Sequence, residues 1–301
     1  MRRRENRFSE WLQLEERSFI DSCKITVLVE DTADEKSGFT CKHGLSLLIE
    51  ATKRKKRLKA LFDVGPSSQA IEHNMKKLNL KLNDLNVIVI SHGHYDHVDG
   101  LLKVLNLVEK PVPVLIHPKA FNPKFAYKPH LTYIGATFNR LNIEASGGVL
   151  ASSTTPIALT DGVATSGEIP LETGFEKPKG FWKVEDVRFV EDLMVDEQAV
   201  IVNLPEGLAV IVGCSHRGVV NTIQHAQRIM NRKEVYALIG GFHLLKASDG
   251  TIRETVDQLE KISPEHVYPC HCTGRRAVNR LGLAFGDGCN QVRAGDVVTL
   301  R

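Results

Sequence analysis

Residues 86–91 read NVIVIS, a short apolar run with no polar face. Such a run implies a strand buried on both sides, the kind found in sheets whose two faces are covered. It leads directly into His92, Gly93, His94, Tyr95, Asp96, His97, Val98, Asp99 and Gly100. His92 and His94 stand two apart on an extended loop, so both imidazoles point to one side. Asp96 and His97 follow as the chain turns towards the next helical stretch, and they face a second position close by. Imidazole and carboxylate suit Zn, Mn or Fe. The scarcity of clustered carboxylates argues against a calcium cage.

The same arrangement recurs. Strand-like runs are predicted at 24–30, 44–50, 61–64, 86–91, 199–204, 208–213, 235–240 and 266–269, with a turn at Pro205-Glu206-Gly207. Helical spacing is predicted over 67–78, 98–108, 218–230, 251–262 and from 274 onward. Between 111 and about 180 the signals weaken, and edge strands with long loops are expected. Four of the strands end in histidine: 86–91 in His92, 208–213 in His216, 235–240 in His243, and 266–269 in His271. Chemistry in α/β sheets gathers in loops at the carboxyl ends of strands. These four ends are therefore expected to meet.

Composition sets the limits. With 301 residues, 42% hydrophobic and 25% charged, the chain is globular. Its 39 basic and 36 acidic residues leave a net charge of +3, too balanced to argue for a nucleic-acid partner. No apolar run approaches the roughly 20 residues of a membrane helix, and the first 20 residues hold no signal-peptide core. A cytoplasmic protein without a membrane partner is expected. Lys53 to Arg57 with Lys59 is expected to form a solvated hairpin tip. Six cysteines without a CxxC pair are expected as reduced thiols, and Cys214 and Cys272, which could ligate softly, read as packing thiols. No linker divides the chain. One domain over 24–301 is expected, after an extension over 1–23.

The stretch 91–100, together with Leu61-Phe62-Asp63-Val64-Gly65 upstream, resembles the metallo-β-lactamase superfamily. The resemblance implies a four-layer αββα sandwich, an α/β fold with a binuclear metal site at one edge. It implies that Asp63 buttresses the metal loop by hydrogen bonding. It also assigns His216, in Gly213-Cys214-Ser215-His216, to join His92 and His94, and His271, in Cys270-His271-Cys272, to join Asp96 and His97. His92, His94, Asp96, His97, His216 and His271 are thus the expected ligands of one or two divalent ions, Zn, Mn or Mg. Asp96, His243 and Asp63 are the expected catalytic residues, His243 as a ligand or a phosphate-contacting acid or base. One departure stands out. The superfamily's histidine before the strand at 199–204 is missing, and the approach reads EDLMVDEQ. Either His216 fills that place or Asp196 and Glu197 contribute carboxylates.

Further motifs are similar to one subgroup: Asp31-Thr32, His43-Gly44-Leu45-Ser46, His73-Asn74, Gly167-Glu168-Ile169-Pro170, Asp196-Glu197-Gln198-Ala199, Gly240-Gly241-Phe242-His243 and Cys270-His271-Cys272-Thr273-Gly274. That subgroup contains 7,8-dihydropterin-6-methyl-4-(β-D-ribofuranosyl)aminobenzene 5′-phosphate synthase. The resemblance runs from Lys24 to Arg301 and implies a metal-dependent transferase on a phosphorylated, diphosphate-bearing pterin, expelling diphosphate in methanopterin-type biosynthesis. The alternative is a metal-dependent hydrolase of a phosphodiester, lactone or ester, using a water ionised by the metal. Arg217, Arg275 and Arg276 are candidate phosphate contacts, and Phe181 and Trp182 a candidate stacking wall.

Overall fold

The computed structural model describes residues 18–127 and 129–301. Its strands are β1 (Ser22–Val29), β2 (Ser46–Lys53), β3 (Lys56–Phe62), β4 (Val87–Val89), β5 (Val112–Ile116), β6 (Lys124–Tyr127), β7 (Leu131–Tyr133) and β8 (Gly148–Ser152). They continue with β9 (Ala158–Thr160), β10 (Val163–Thr165), β11 (Phe181–Glu185), β12 (Arg188–Glu191), β13 (Val200–Asn203), β14 (Leu208–Val212), β15 (Val235–Gly241), β16 (His266–Cys270) and β17 (Val297–Leu300). The helices are α1 (Ser68–Lys77), α2 (Tyr95–Val98), α3 (Leu101–Val108), α4 (Arg140–Ala145), α5 (Val219–Ile229), α6 (Asp249–Ile262) and α7 (Arg275–Phe285).

A seven-stranded sheet, ordered β17-β1-β2-β3-β4-β5-β8, lies against a six-stranded sheet, β16-β15-β14-β13-β10-β9. Side chains alternate between faces because the strand period is two. In β2, Leu47, Ile49 and Ala51 enter the core between the sheets, while Leu48 joins the core under α1 and α3. In β14, Ala209 and Ile211 face the first sheet, and Leu208, Val210 and Val212 face α5 and α6. Both faces of both sheets are covered, which is why the central strands read as unbroken apolar runs. The layers are αββα, as the resemblance implies.

Three local expectations change. The basic run is mostly strand: Lys53 pairs with Lys56 across the turn, so only Arg54 and Lys55 form the tip. Ser22 and Cys23 already belong to β1, opposite Thr52 and Ala51, and Ile20 is fully buried with its N–H on the Asn203 carbonyl. Residues 1–17 of the expected extension lie outside the described residues. The region of weak signals holds α4 and half of a third sheet, β12-β11-β6-β7. This small sheet turns Lys124, Ala126 and Phe181 inward and Phe125, Tyr127 and Trp182 outward. Among the described residues no helix is long and apolar enough to cross a membrane.

Strand direction positions the site. β1, β3 and β4 run the same way, with β2 between them reversed, so their carboxyl ends and the start of β2 share one edge. β14, β15 and β16 are parallel, and β13 is antiparallel to them. Their carboxyl ends therefore share an edge with the start of β13. The two edges meet, for the Gln198 N–H donates to the Ser91 carbonyl at 2.8 Å.

Candidate metal centre

At this common edge the chain leaves its strands abruptly. Asp63, Ser215, His243 and His271 all adopt left-handed backbone, with φ between 50° and 58°. Such conformations cost on the order of 1–3 kcal/mol each in non-glycine residues, and they collect where the surrounding structure needs a side chain re-aimed. Two glycines give the loops room. A Cβ on Gly93 would lie 2.0 Å from the Ala120 carbonyl oxygen, and one on Gly213 would lie 2.3 Å from Ser91 Oγ.

Six expected ligands converge. His92 Nε2 faces His94 Nδ1 at 3.0 Å, and the His216 ring centroid is 4.8 Å from each of theirs. Beside them, Asp96 Oδ2 is 3.6 Å from His97 Nε2 and 3.5 Å from His271 Nε2. The His92 and His97 ring centroids, one from each group, are 4.2 Å apart. All six residues are buried, and His94 Nε2, His271 Nε2 and both ring nitrogens of His216 have no hydrogen-bond partner. Buried polar atoms are seldom left unpaired, so a buried cluster of imidazoles with unpaired nitrogens suits a cation. The spacing fits as well. Tetrahedral Zn–N bonds of 2.0–2.1 Å place two ligand atoms about 3.4 Å apart.

Outer hydrogen bonds aim these rings. Asp63, fully buried, accepts from Ser91 N and Oγ at 2.7 Å each and from His97 Nδ1 at 2.6 Å. Ser91 Oγ in turn meets His92 Nδ1 at 2.9 Å. His271 Nδ1 donates to Asp31 Oδ1 at 2.6 Å. In each case Nδ1 is engaged on the outer side and Nε2 faces inward. Asp196 and Glu197 are engaged elsewhere. Asp196 accepts from Gly93 N at 2.8 Å and from Lys124 Nζ at 2.8 Å. Glu197 accepts from the N–H groups of His216 and Arg217, at 2.6 Å each. The two carboxylates hold the backbone of the loops that carry His92 and His216.

Charge divides the centre in two. Burial, with neighbouring imidazoles, drives His92 and His216 well below the ordinary histidine value. Burial and Lys124 bring His94 to about 3. These three are neutral bases. In the other group burial also opposes charge, but Asp63 and Asp96 outweigh it and raise His97, while Cys272, Asp31 and Asp96 raise His271 well above the ordinary value. Asp96 is held well below the usual carboxylate range, with His97 and His271 overcoming its burial. Burial pushes Glu197 up to about 7 against its two N–H donors.

His243 lies on the open side, exposed, its ring 4.1 Å from that of His216. Phe181 closes another side, its ring 5.4 Å from His94, 4.9 Å from His216 and 5.7 Å from His243. Trp182 points the other way and stacks on Phe189, with centroids 5.3 Å apart and planes 4° from parallel. Of the expected aromatic pair, only Phe181 reaches the centre. Arg217 is tied to the carbonyls of Ile169 and Leu193, and Arg276 to Asp249 and the Ala247 carbonyl. Arg275 is exposed on α7.

Three site neighbours carried no role in the sequence reading. Asp31 orients both His271 and His43, and His43 Nε2 reaches to 3.5 Å from Asp96 Oδ2. Cys214 is the third. Its Sγ lies 3.2 Å from His97 Nε2 and within 4.8 Å of ligand nitrogens on His92, His216 and His271. It faces imidazole nitrogens and the Cys272 thiol rather than the apolar core between the sheets.

The profile of the metallo-β-lactamase superfamily matches residues 40–223. The chain is 35% identical over 285 residues to the 7,8-dihydropterin-6-methyl-4-(β-D-ribofuranosyl)-aminobenzene-5′-phosphate synthase of Methanocaldococcus jannaschii, covering 93% of this chain and 97% of that one. Among solved structures it is similar to Tm1679, described as a metal-dependent hydrolase of the β-lactamase superfamily. The TM-score is 0.76 at 30% identity, over 92% of this chain and 98% of that one. A diphosphatase of the PhnP family shares the fold at 13% identity, with a TM-score of 0.51 over 94% and 98% of the two chains. With its histidine-bearing strand ends at one edge of an αββα sandwich, the chain belongs to the metallo-β-lactamase superfamily of enzymes.

Proposed function

We propose that the protein joins a dihydropterin methyl diphosphate to an aminobenzene ribofuranosyl phosphate and releases diphosphate, as a step of methanopterin-type cofactor synthesis. In this reaction the arylamine nitrogen bonds to the pterin methylene carbon, the carbon–oxygen bond to diphosphate breaks, and the amine loses a proton. The observation that carries the reading is the convergence of six donor side chains, four of their ring nitrogens buried and unpartnered, in a chain 35% identical to a synthase of that name.

His92, His94 and His216 would hold one divalent ion and Asp96, His97 and His271 a second. When bound, such ions neutralise the charge that grows on the diphosphate oxygens as the carbon–oxygen bond breaks. The chain's own residues do the rest. Asp63 and Asp31 keep His97 and His271 in the tautomer that presents Nε2. Asp196 and Glu197 fix the peptide groups that carry His94 and His216. Phe181 supplies an apolar wall that shields one side from water and favours the arylamine over hydrolysis. His243 stands at the open rim, where an incoming phosphate meets an exposed imidazole.

The test is an assay of diphosphate and coupled pterin product with Mg, Mn and Zn each supplied. The synthase reading expects diphosphate release to require the arylamine. The 30% identity to a protein described as a metal-dependent hydrolase favours a second reading. Equal release in water alone would establish that one and overturn the first.

A further inference from the structure

We infer that Cys214 is a thiolate ligand shared by the two cation positions, and that the centre therefore selects thiophilic divalent ions such as Zn, Fe or Co over Mg. The inference rests on the reading that the histidine cluster holds cations, and it deepens that reading by assigning the bridge and the class of ion.

Position carries the argument. Cys214 follows β14 at the point where the two ligand groups meet. Its Sγ forms one close set with donors of His92 and His216, and another with donors of His97 and His271, every pair in each set within 4.8 Å. No other side chain belongs to both sets. The 3.2 Å from Sγ to His97 Nε2 is near the roughly 3.6 Å expected of a sulfur and a nitrogen on one tetrahedral zinc, given Zn–S of 2.3 Å and Zn–N of 2.0–2.1 Å.

Its surroundings are wrong for a packing thiol. Cys23 and Cys270 are also buried, and both belong to the apolar core between the sheets. Cys214, only 3% exposed, belongs to none of the four apolar clusters among the described residues. Its neighbours are the Cys272 thiol and imidazole nitrogens, of which those of His216 and His271 Nε2 are unpartnered.

The choice of ion follows from the ligand set. Mg prefers oxygen ligands and keeps much of its water. Here Asp96 is the one carboxylate directed between ligand nitrogens. Asp63, Asp31, Asp196 and Glu197 are committed to hydrogen bonds. Five imidazoles, one carboxylate and a thiolate make a set for borderline and soft ions.

A competing arrangement uses the same sulfur. Cys214, His243 and Cys272 also lie within 4.8 Å of one another, and Cys272 Sγ accepts the His243 N–H at 3.3 Å. Cobalt separates the two. The full-length protein, stripped and reloaded anaerobically with Co²⁺ alone, is expected to bind two ions per chain. It should show an intense near-ultraviolet thiolate-to-cobalt charge-transfer band and spin coupling between the ions by electron paramagnetic resonance. Cys214→Ser should abolish the band and the coupling, and Cys272→Ser should retain both. Cys214→Asp supplies a carboxylate bridge if the serine variant fails to fold. It should keep two ions, lose the band, and accept Mg²⁺ in competition more readily than the unaltered protein. Two bound ions without a band in the unaltered protein would overturn the shared thiolate while leaving the cation reading intact. A band that survives Cys214→Ser and vanishes in Cys272→Ser would move the sulfur ligand to the rim. Failure to bind any ion would remove both readings.

Discussion

The three-imidazole half of the centre and the carboxylate half are built by different means. In the first half the Asp196 and Glu197 carboxylates hold the N–H groups of Gly93, His216 and Arg217, and only His92 has a side-chain partner outside the cluster, Ser91 Oγ. The half around Asp96 is aimed through side chains, with Asp63 on His97 and Asp31 on His271. The first half is neutral and sealed on one side by Phe181, with the exposed His243 at its rim. The second contains the Asp96 carboxylate and opens to solvent at His43, whose side chain is 49% exposed. A neutral half would hold a cation by lone pairs alone, and a half with a carboxylate would add charge attraction. On the proposed function, the first position would anchor and the other would meet the departing diphosphate.

The sharpest way to break this picture is to remove an anchoring ligand. His92→Ala is expected to lower turnover by more than the roughly 10–100-fold that loss of an outer hydrogen-bond partner costs. Cation content should fall from two per chain to one, with the circular dichroism of the folded domain retained. Turnover that persists at the original rate would remove His92 from the anchoring half.

The next largest contrast is between the two buttresses of the open half. Asp63→Ala leaves the Ser91 N–H, the Ser91 hydroxyl and His97 Nδ1 without their acceptor in a fully buried position. Breaking a buried charged pair in this way costs roughly 3–5 kcal/mol, which denaturant unfolding would read. Affinity at that half should fall by about 10–100-fold. Asp31 is partly exposed, and water replaces part of what it accepts, so Asp31→Ala should weaken cation binding less and unfold the protein little. Equal effects from the two variants would mean that burial does not distinguish them.

How much of this was legible in the sequence follows the range of the interactions. Each histidine-bearing strand end is a local signal, an apolar run followed by a ligand, and all four ends meet where expected. The alternation within β2 and β14 likewise made the covered sheets readable. Cys214 was readable only as a thiol with two alternatives, because a cysteine after a buried strand looks the same whether it faces aliphatic side chains or imidazoles. Asp31 and His271 are 240 positions apart, and nothing local in either marks the bond between them. Asp196 and Glu197 were readable as candidates but not in their role, since a carboxylate that ligates and one that accepts a backbone N–H look alike in sequence. The small sheet escaped because its strands are three to five residues long and β6 pairs with β11 more than 50 residues later.

Glu197→Gln gives a milder test of the sealed half. The glutamine keeps one acceptor for the two N–H groups and turns an N–H₂ towards the other. Loss of one charged hydrogen bond of about 1.5–3 kcal/mol should appear as lowered stability, with a shift in metal affinity smaller than that from Asp63→Ala.

The smallest effect is expected on the outer face of the small sheet, and it tests whether that sheet serves the centre through one face only. Phe181 and Trp182 are adjacent, so the pleat sends one ring to His94 and His216 and the other to Phe189. Trp182→Ala removes a stacked aromatic pair that contributes about 0.5–1.5 kcal/mol beyond its buried area. Nothing on the inner face changes, so cation content and turnover should remain those of the unaltered protein. Phe181→Ala opens the sealed half to water beside two ligand imidazoles. It should raise the substrate KM and increase the share of diphosphate released to water rather than to the arylamine. If Trp182→Ala changes that partition as much as Phe181→Ala does, the sheet acts on the centre as a whole body. The distinction between a sealed half and an open half would then rest on more than the one ring that touches it.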